Sequence, residues 1–556
     1  MSSRKRIALY LVILAAIVGG GMALRLYKIG QSGFWLDEAF SELRTRGTLA
    51  ETVHGAMALE GSPLLYLTLL HLWRGVLGTG EVQFRILSAI LDGATILAVF
   101  ALAREILSRR AALLGAGMYA ISSFAVFYAQ EARQYALLTL TVVLSCWFFH
   151  RICVSSRRKH LHDYFFYVAV TAAALYTFPY ALFVIAAQGL FLAAAMVKGL
   201  RGRGRGEPLG RVAKAAVCLG SALVIFSPYF PVLAGRAAQL RGMQAPYAGG
   251  LAERWHIITE LPQIARTMVY GSHMAYMGDA TAAYIFALLF VAAPIALGVW
   301  LMRGPRWSRL FLALILLVPL AGVVMIPFRV QILEAKHIGF LLPFGIVAVC
   351  ALFSPRFSGS WHLLGNFLPV AEGCLVVALF AGSQVYALRD YYGDTAGKEA
   401  WRTVAPTLLG QLRPGDAVIF SPYYAWVPCE YYLRGDVTIN VGQNPFNGRI
   451  ERKWIVAKGG EKPFVVPVLI PSNGGDEITS QDMREFLGSG AARVWMIINR
   501  SNVALEEPKV FRMIENDVSN RYNESLPQGF KEEEYPGGAG SIRVRLFEIK
   551  SSGQTK

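Results

Sequence analysis

Apolar runs long enough to cross a bilayer recur along the chain, each parted from the next by a short polar connection. Ile7 to Leu24 and Ala282 to Leu301 are two of them. A bilayer core takes roughly 20 helical residues to span. Within lipid the backbone must satisfy its own hydrogen bonds, which leaves helices or closed barrels. Such a chain folds as a polytopic α-helical membrane protein, and 54% hydrophobic residues over 556 positions agree. The net charge of +17 alone would point towards nucleic acid. Its Lys and Arg residues instead form short clusters between the apolar runs, so a lipid bilayer is expected as partner and no nucleic acid.

Those clusters set a topology. Basic connections are SSRKR at the start, REILSRR (104–110), SSRRKH (155–160), 198–214, RGPRWSR (303–309) and SPRF (354–357). They alternate with less basic ones: the loop 28–80, YAQEARQY (128–135), the bend at Phe178-Pro179-Tyr180, the loop 235–280 and FRVQILEAK (328–336). Under the positive-inside rule the basic set is cytoplasmic. About eleven spans of roughly 20 residues follow, near 7–27, 81–103, 111–127, 136–153, 163–179, 181–198, 214–234, 281–302, 310–327, 337–354 and 367–387. The N-terminus is then cytoplasmic and the C-terminus outside. The first span, with its basic start and no clean A-x-A site, reads as an uncleaved signal anchor. SPLLYLTLLHLWRGVLG (62–78) is too short to span and would invert every later charge cluster, so it reads as an amphipathic helix on the outer surface.

The composition turns polar after Leu388. DAVIFS (416–421), DVTINV (436–441), FVVPVLI (464–470), ARVWMIINR (492–500) and SIRVRLFEIK (541–550) read as strands. SQDMREFL (480–487) and PKVFRMIENDVSNRY (508–522) read as helices. Two domains are expected: 1–388 in the membrane, with the outer loop 28–80 carrying surface helices, and 389–556 as an extracytoplasmic α/β domain. The six cysteines form no CxxC pair and read as buried thiols.

Chemistry gathers on the outer connections. GFWLDEAFSEL (33–43) sets Asp37 beside Glu38 just after a Trp-Leu pair. Asp37 as the N-cap of a short helix, AFSELRTR, with Glu38 favoured by the helix dipole, is the bland reading. The second outer connection holds Glu131 and Arg133 against apolar flanks, and these two have each other as simplest partners. A third begins a late span with Glu334, Lys336 and His337. Charges held so close to hydrocarbon need partners or a task. A lipid-phosphate leaving group calls for Arg or Lys at the surface, and an acceptor hydroxyl calls for a carboxylate to take its proton. Asp92, inside the second span, reads as a structural hydrogen-bonding group. Tyr270, His273, Tyr276 and Asp279 read as an aromatic belt.

Taken together, WLDEAF, SPLLYLTLLHLW, FRILSAILDG, YAQEARQYALLTL and EAKHIGFLLPF resemble, in order and spacing over most of residues 1–390, the multi-spanning GT-C glycosyltransferases. The branch they resemble is the dolichyl-phosphate-mannose-protein mannosyltransferase-like and aminoarabinose-transferase-like one. WRTVAPTLLGQLRPGDAVIFSPYYAWVPCEYYL is similar to the start of the outer domain in such proteins. The resemblance implies transfer of a hexosyl or pentosyl group from a polyprenyl-phosphate-linked sugar donor to a glycolipid, glycan or protein acceptor. The setting it implies is the outer face of a bacterial inner membrane. By that resemblance Asp37 matches the catalytic base and Glu38 its neighbour. Arg133, Lys336, His337 and Arg85 match donor-phosphate positions, and Glu131, Tyr135 and His71 supporting ones. The chain departs from the family pattern at Ser62-Pro63, where Pro-Pro is usual, and at Lys336-His337, where Arg-Tyr is usual. Lys keeps the charge without the bidentate fork. A single inverting displacement follows, with no metal demanded. Asp37, Glu38 and a His remain an oxygen-rich set that a divalent ion would accept. The alternative class is a lipid-linked sugar flippase or another polytopic transporter. No convincing internal repeat supports a transporter.

Overall fold

The structure is a computed structural model. It describes residues 3–58, 63–155, 160–201, 207–235, 263–268, 306–325, 334–353, 364–393, 400–421, 425–434, 437–441, 450–456, 463–470, 492–500, 522–525 and 541–549. The chain divides into two compact units: residues 1–29 with 44–393, and 30–43 with 394–556. The loop 28–80, read from sequence as part of the membrane domain, is thus split, and its segment 30–43 packs with the C-terminal residues.

The first unit is helical. Its elements are α1 (Ser3–Leu26), α3 (Leu49–Ala58), α4 (Leu64–Leu77), α5 (Glu81–Ile106), α6 (Arg109–Ile121), α7 (Ser123–Ala129), α8 (Tyr135–Cys153), α9 (Leu161–Thr177), α10 (Ala181–Arg201) and α11 (Glu207–Phe226). They continue with α12 (Arg306–Met325), α13 (Leu342–Cys350) and α14 (Leu364–Gly393); α2 (Leu36–Arg44) lies almost wholly in the other unit. Among the described residues, five helices are long and apolar enough to cross a membrane, or six if the bent pair α6–α7 counts as one. α4, at 14 residues, falls short of a span, as its sequence indicates. The expected span at 281–302 and the residues Tyr270, His273, Tyr276 and Asp279 lie outside the described residues.

Two expected single spans are interrupted. The run 111–127 bends by 57° between α6 and α7. Ser122 ends one helix and caps the next, its side chain accepting from the Ala125 N–H. The N–H and hydroxyl of Ser123 both donate to the buried Gln384 Oε1, at 2.7 and 2.9 Å. A break inside an apolar bundle exposes helix-end donors that water would otherwise satisfy, and Gln384 of α14 takes that place. The run 337–354 is likewise segmented: a short turn at Ala335–Ile338, a 3-10 turn at Gly339–Leu341, then α13, with Pro343 in its first turn. At Phe178 the backbone is extended between α9 and α10, so Pro179 marks two helices rather than one.

Buried polar groups tie these helices together. Arg25, near the end of α1, is fully buried and pairs with Asp92 of α5 at 2.6 Å. Tyr119 of α6 donates to the same carboxylate at 2.7 Å. The guanidinium also donates to the carbonyls of Gly21 and Ala120. Gln130 donates to the carbonyls of Arg25 and Tyr27 at the end of α1, and accepts from Tyr391. Tyr167, Gln188, Ser145 and Thr171 form a further chain of hydrogen bonds between α8, α9 and α10. Inside apolar surroundings such groups are tolerated because each meets a partner.

The second unit holds a seven-stranded sheet of order β2-β3-β4-β1-β5-β7-β6. Its strands are β1 (Asp416–Ser421), β2 (Val437–Val441), β3 (Ile450–Val456), β4 (Phe464–Ile470), β5 (Arg493–Arg500), β6 (Tyr522–Ser525) and β7 (Ser541–Ile549). β1 runs parallel to β4 and β5, and the outer pairings are antiparallel. β1 is buried on both faces from Asp416 to Phe420, as a central parallel strand must be. On β7 the alternate positions Ile542, Val544 and Leu546 are in the core. α15 (Trp401–Gln411) and α16 (Trp426–Tyr432) cover the sheet. Trp401, Ala405 and Leu408 recur at helical spacing and enter the core beside Val418, Phe420 and Trp495. Gly415, at φ 86°, makes the turn from α15 into β1. The strands expected from sequence are present, and β3 and β6 add to them. The helix expected over 508–522 ends differently, because Tyr522 opens β6; its remainder and 480–487 lie outside the described residues.

Candidate functional site

The segment carrying Asp37 and Glu38 belongs to the second unit. The Ala39 N–H bonds to the Trp35 carbonyl at 3.0 Å, so the helix opens one residue before Asp37. Asp37 is therefore not the N-cap that its sequence allows. It lies with Glu38 in the first turn of α2, at the positive end of the helix dipole. Its backbone carbonyl accepts from the Ser41 hydroxyl. Asp37 is half-buried and Glu38 wholly buried. Ala39 enters the core of the unit. Glu42, one turn on and not singled out in sequence, is also wholly buried and forms an ion pair with Arg434.

The other sequence-selected residues belong to the first unit. YAQEARQY forms a tight connection from α7 to α8, with the Arg133 N–H bonded to the Glu131 carbonyl at 2.8 Å. Glu131 and Tyr135 are buried and Arg133 is half-buried. Tyr135 meets the ring of Tyr128 edge-on at 5.1 Å. Lys336 pairs with Glu334 at 2.7 Å; its side chain is 15% exposed and that of Glu334 53%. His337 stacks on Phe178 at 5.5 Å and lies 5.7 Å from Tyr180.

A small cavity draws part of this set together. Tyr128, Tyr135, Thr139, Lys336, Asp92 and Tyr119 help to line it. Two residues chosen from separate motifs, Tyr135 and Lys336, thus share one recess. Asp92 borders it, with its carboxylate engaged by Arg25 and Tyr119. Arg85 and His71 do not line it. Arg85 is wholly buried and donates to the Ile29 carbonyl at 3.0 Å. His71 Nδ1 lies 3.2 Å from both the Thr52 hydroxyl and the Thr45 carbonyl. α3 beside it opens with a reciprocal cap: the Thr48 N–H and hydroxyl donate to Glu51, and the Glu51 N–H donates to the Thr48 hydroxyl. The backbone N–H and then the hydroxyl of Thr48 hold the Glu51 carboxyl below its usual range. Among the described residues, no three His, Cys, Asp or Glu side chains gather to hold a metal ion.

Comparison with known proteins points one way. Residues 61–230 match the model of the dolichyl-phosphate-mannose-protein mannosyltransferase family. No curated protein matches the chain by sequence. Among solved structures, ArnT from Cupriavidus metallidurans bound to undecaprenyl phosphate is similar at a TM-score of 0.51 and 14% identity, over 99% of each chain. The Archaeoglobus fulgidus oligosaccharyltransferase tethered with an acceptor peptide is similar at 0.52 and 11% identity, over 90% of this chain and 70% of that one. The oligosaccharyltransferase AglB of the same organism, in complex with an inhibitory peptide and a dolichol-phosphate, is similar at 0.50 and 11% identity, over 100% and 75%. At such identities the likeness is one of fold.

Proposed function

We propose that the chain is a GT-C membrane glycosyltransferase of the mannosyltransferase and ArnT-like type, and that it moves a sugar from a polyprenyl-phosphate donor to an acceptor at the outer face of a bacterial inner membrane. The observation that carries this reading is the recess lined by both Tyr135 and Lys336. The first lies in the EARQY motif, inside the stretch matching the family, and the second in the late EAKH segment. A cation beside aromatic and aliphatic side chains suits a phosphate attached to a lipid. The Lys336–Glu334 pair is half open to solvent on the acid side. Such pairs contribute little, about 0–1 kcal/mol, so the singly charged donor phosphodiester can compete for the ammonium, and the departing phosphate, which gains a second charge, competes better.

The chemistry is one inverting displacement. The acceptor hydroxyl oxygen attacks the anomeric carbon while Asp37 takes its proton. The carbon–oxygen bond to the phosphate breaks, and its electron pair leaves with the polyprenyl phosphate, which Arg133 and Lys336 bind. General-base help is worth roughly 10²–10⁴-fold in rate, and cations on the departing phosphate add transition-state stabilisation. His337 and Arg85 serve the donor side by position and structural support, and Glu38, Glu131, Tyr135 and His71 shape the surroundings. The reaction requires no metal, since Arg and Lys supply the positive charge. Glycolipids, glycans and proteins are the acceptor classes, and hexosyl and pentosyl groups the transferred ones.

The test is sugar transfer by purified protein in liposomes, with a panel of polyprenyl-phosphate sugars and an Asp37→Asn variant. Transfer or donor hydrolysis by the parent, lost in the variant while donor still binds, is the expected result. Equal activity in both would reduce Asp37 to a structural residue.

A further inference from the structure

The segment 30–43 is held by the C-terminal residues of its own unit through an unusual density of polar bonds. Glu42 is wholly buried, and both its oxygens are engaged by the two terminal nitrogens of Arg434, Oε1 at 2.7 Å. The Arg434 guanidinium also lies 5.1 Å from the Tyr431 ring centroid, which orients its plane. At the other end of the segment, Arg402 donates to three successive carbonyls, those of Gly30, Gln31 and Ser32, at 3.1 to 3.3 Å. Between these points the Tyr432 hydroxyl accepts from the Phe34 N–H at 2.6 Å. A Cβ at Gly33 would come within 2.7 Å of that hydroxyl and 3.3 Å of the Arg402 Cβ, so any larger residue would have to displace the Tyr432 hydroxyl from its bond to Phe34.

These clamps flank Asp37 on both sides: three carbonyls and an N–H precede it, and a bidentate ion pair follows one turn later. A helix of nine residues is marginal by itself and takes its place from what it packs and bonds against. We infer that Arg434 and Arg402 are positioning residues for the Asp37 helix. The inference rests on the proposed role of Asp37. A base displaced by about 1 Å loses on the order of 10²-fold in rate. Loosening the clamp therefore lowers kcat and leaves the donor KM in place.

The experiment uses the full-length protein in liposomes with the variants Arg434→Ala, Arg434→Lys, Arg402→Ala and Gly33→Ala. Two readouts are taken: hydrogen–deuterium exchange across the chain, and kcat and KM for donor and acceptor. Expected are faster exchange confined to peptides covering 30–43, at least a tenfold fall in kcat for Arg434→Ala and Arg402→Ala, and donor KM within about twofold of the parent. Arg434→Lys, which keeps the charge but not the fork, recovers part of kcat. Unchanged exchange at 30–43 in both alanine variants overturns the clamp. Loosened exchange with unchanged kcat overturns the positioning role. Exchange speeding up throughout 394–556 in every variant overturns it too, by showing a merely structural role. Exchange does not depend on turnover, so a parent without transferase activity would refute the proposed function while leaving the clamp measured on its own.

Discussion

Replacing Arg25 with Met removes the guanidinium paired with a carboxylate that is 2% exposed. Among the described residues, Asp92 would keep a neutral partner in the Tyr119 hydroxyl. Breaking a buried pair by deleting one member costs about 3–5 kcal/mol, because the surviving charge has nowhere to go. Asp92→Leu should cost a similar amount, leaving the buried Arg25 without its counter-charge, with the carbonyls of Gly21 and Ala120 and the Tyr119 ring beside it. The double variant Arg25→Met with Asp92→Leu removes both charges and replaces them with apolar bulk, which is often close to neutral. It removes the Asp92 acceptor of the Tyr119 hydroxyl and leaves Thr95 as its partner, at a cost of no more than about 1–3 kcal/mol. The double should therefore be more stable than either single, with a coupling of at least about 3 kcal/mol. The assay is equilibrium unfolding in mixed micelles by SDS titration, followed by tryptophan fluorescence. Additive singles, or a single that costs under about 1 kcal/mol, would refute the reasoning.

Lys336→Ala should raise donor KM about 10- to 100-fold, as a charge-assisted bond worth about 1.5–3 kcal/mol is lost, whereas Lys336→Arg should keep donor binding. Steady-state kinetics on the donor decides it. Ser123→Ala leaves its N–H still bonded to Gln384, whereas Gln384→Leu removes an acceptor shared by both Ser123 donors. Thermal inactivation should therefore shift more in the second variant, by the equivalent of about 1–3 kcal/mol. Burial, then the neighbouring Glu430, pushes the Cys429 thiol well above its usual pKa. The folded state thus favours the neutral thiol. That contribution is whole below the unfolded pKa of about 8.5 and is lost as pH rises above it. Stability should decline with alkalinity, and Cys429→Ala should flatten the slope. In detergent a maleimide should label the exposed Cys374 and spare Cys429 until unfolding.

Much of the fold was legible because its signals are local. The apolar runs that mark α1, α5, α8 and α10 need only length and composition, and β1, β4 and β5 declare themselves as short β-branched runs between turn residues. β3, as IERKWIV, mixes three charges into seven residues and hides its alternation. β6 is four largely polar residues, which pairing with β7 alone defines. The Thr48–Glu51 cap is carried by a local T-x-x-E pattern. The candidate site was legible as residue types and outer connections. Which of them share a cavity was not, since Tyr135 and Lys336 lie on distant segments.

The sequence by itself determined that this chain is a membrane protein with a polar α/β part, because the cost of leaving backbone and charge unsatisfied in lipid acts residue by residue. It also supplied the carboxylates and cations from which the proposed site is drawn. Only the tertiary structure decided that α6 and α7 are two helices, since Gln384 must be present to take the donors that the break releases. It alone decided that Asp37 stands inside a helix rather than capping one, and that Arg25 answers Asp92. It also assigned the segment bearing Asp37 to the C-terminal unit, through Glu42 and Arg434. Each of these depends on a partner far away in the chain, and the energy of a buried polar contact exists only once the fold has brought both members out of water.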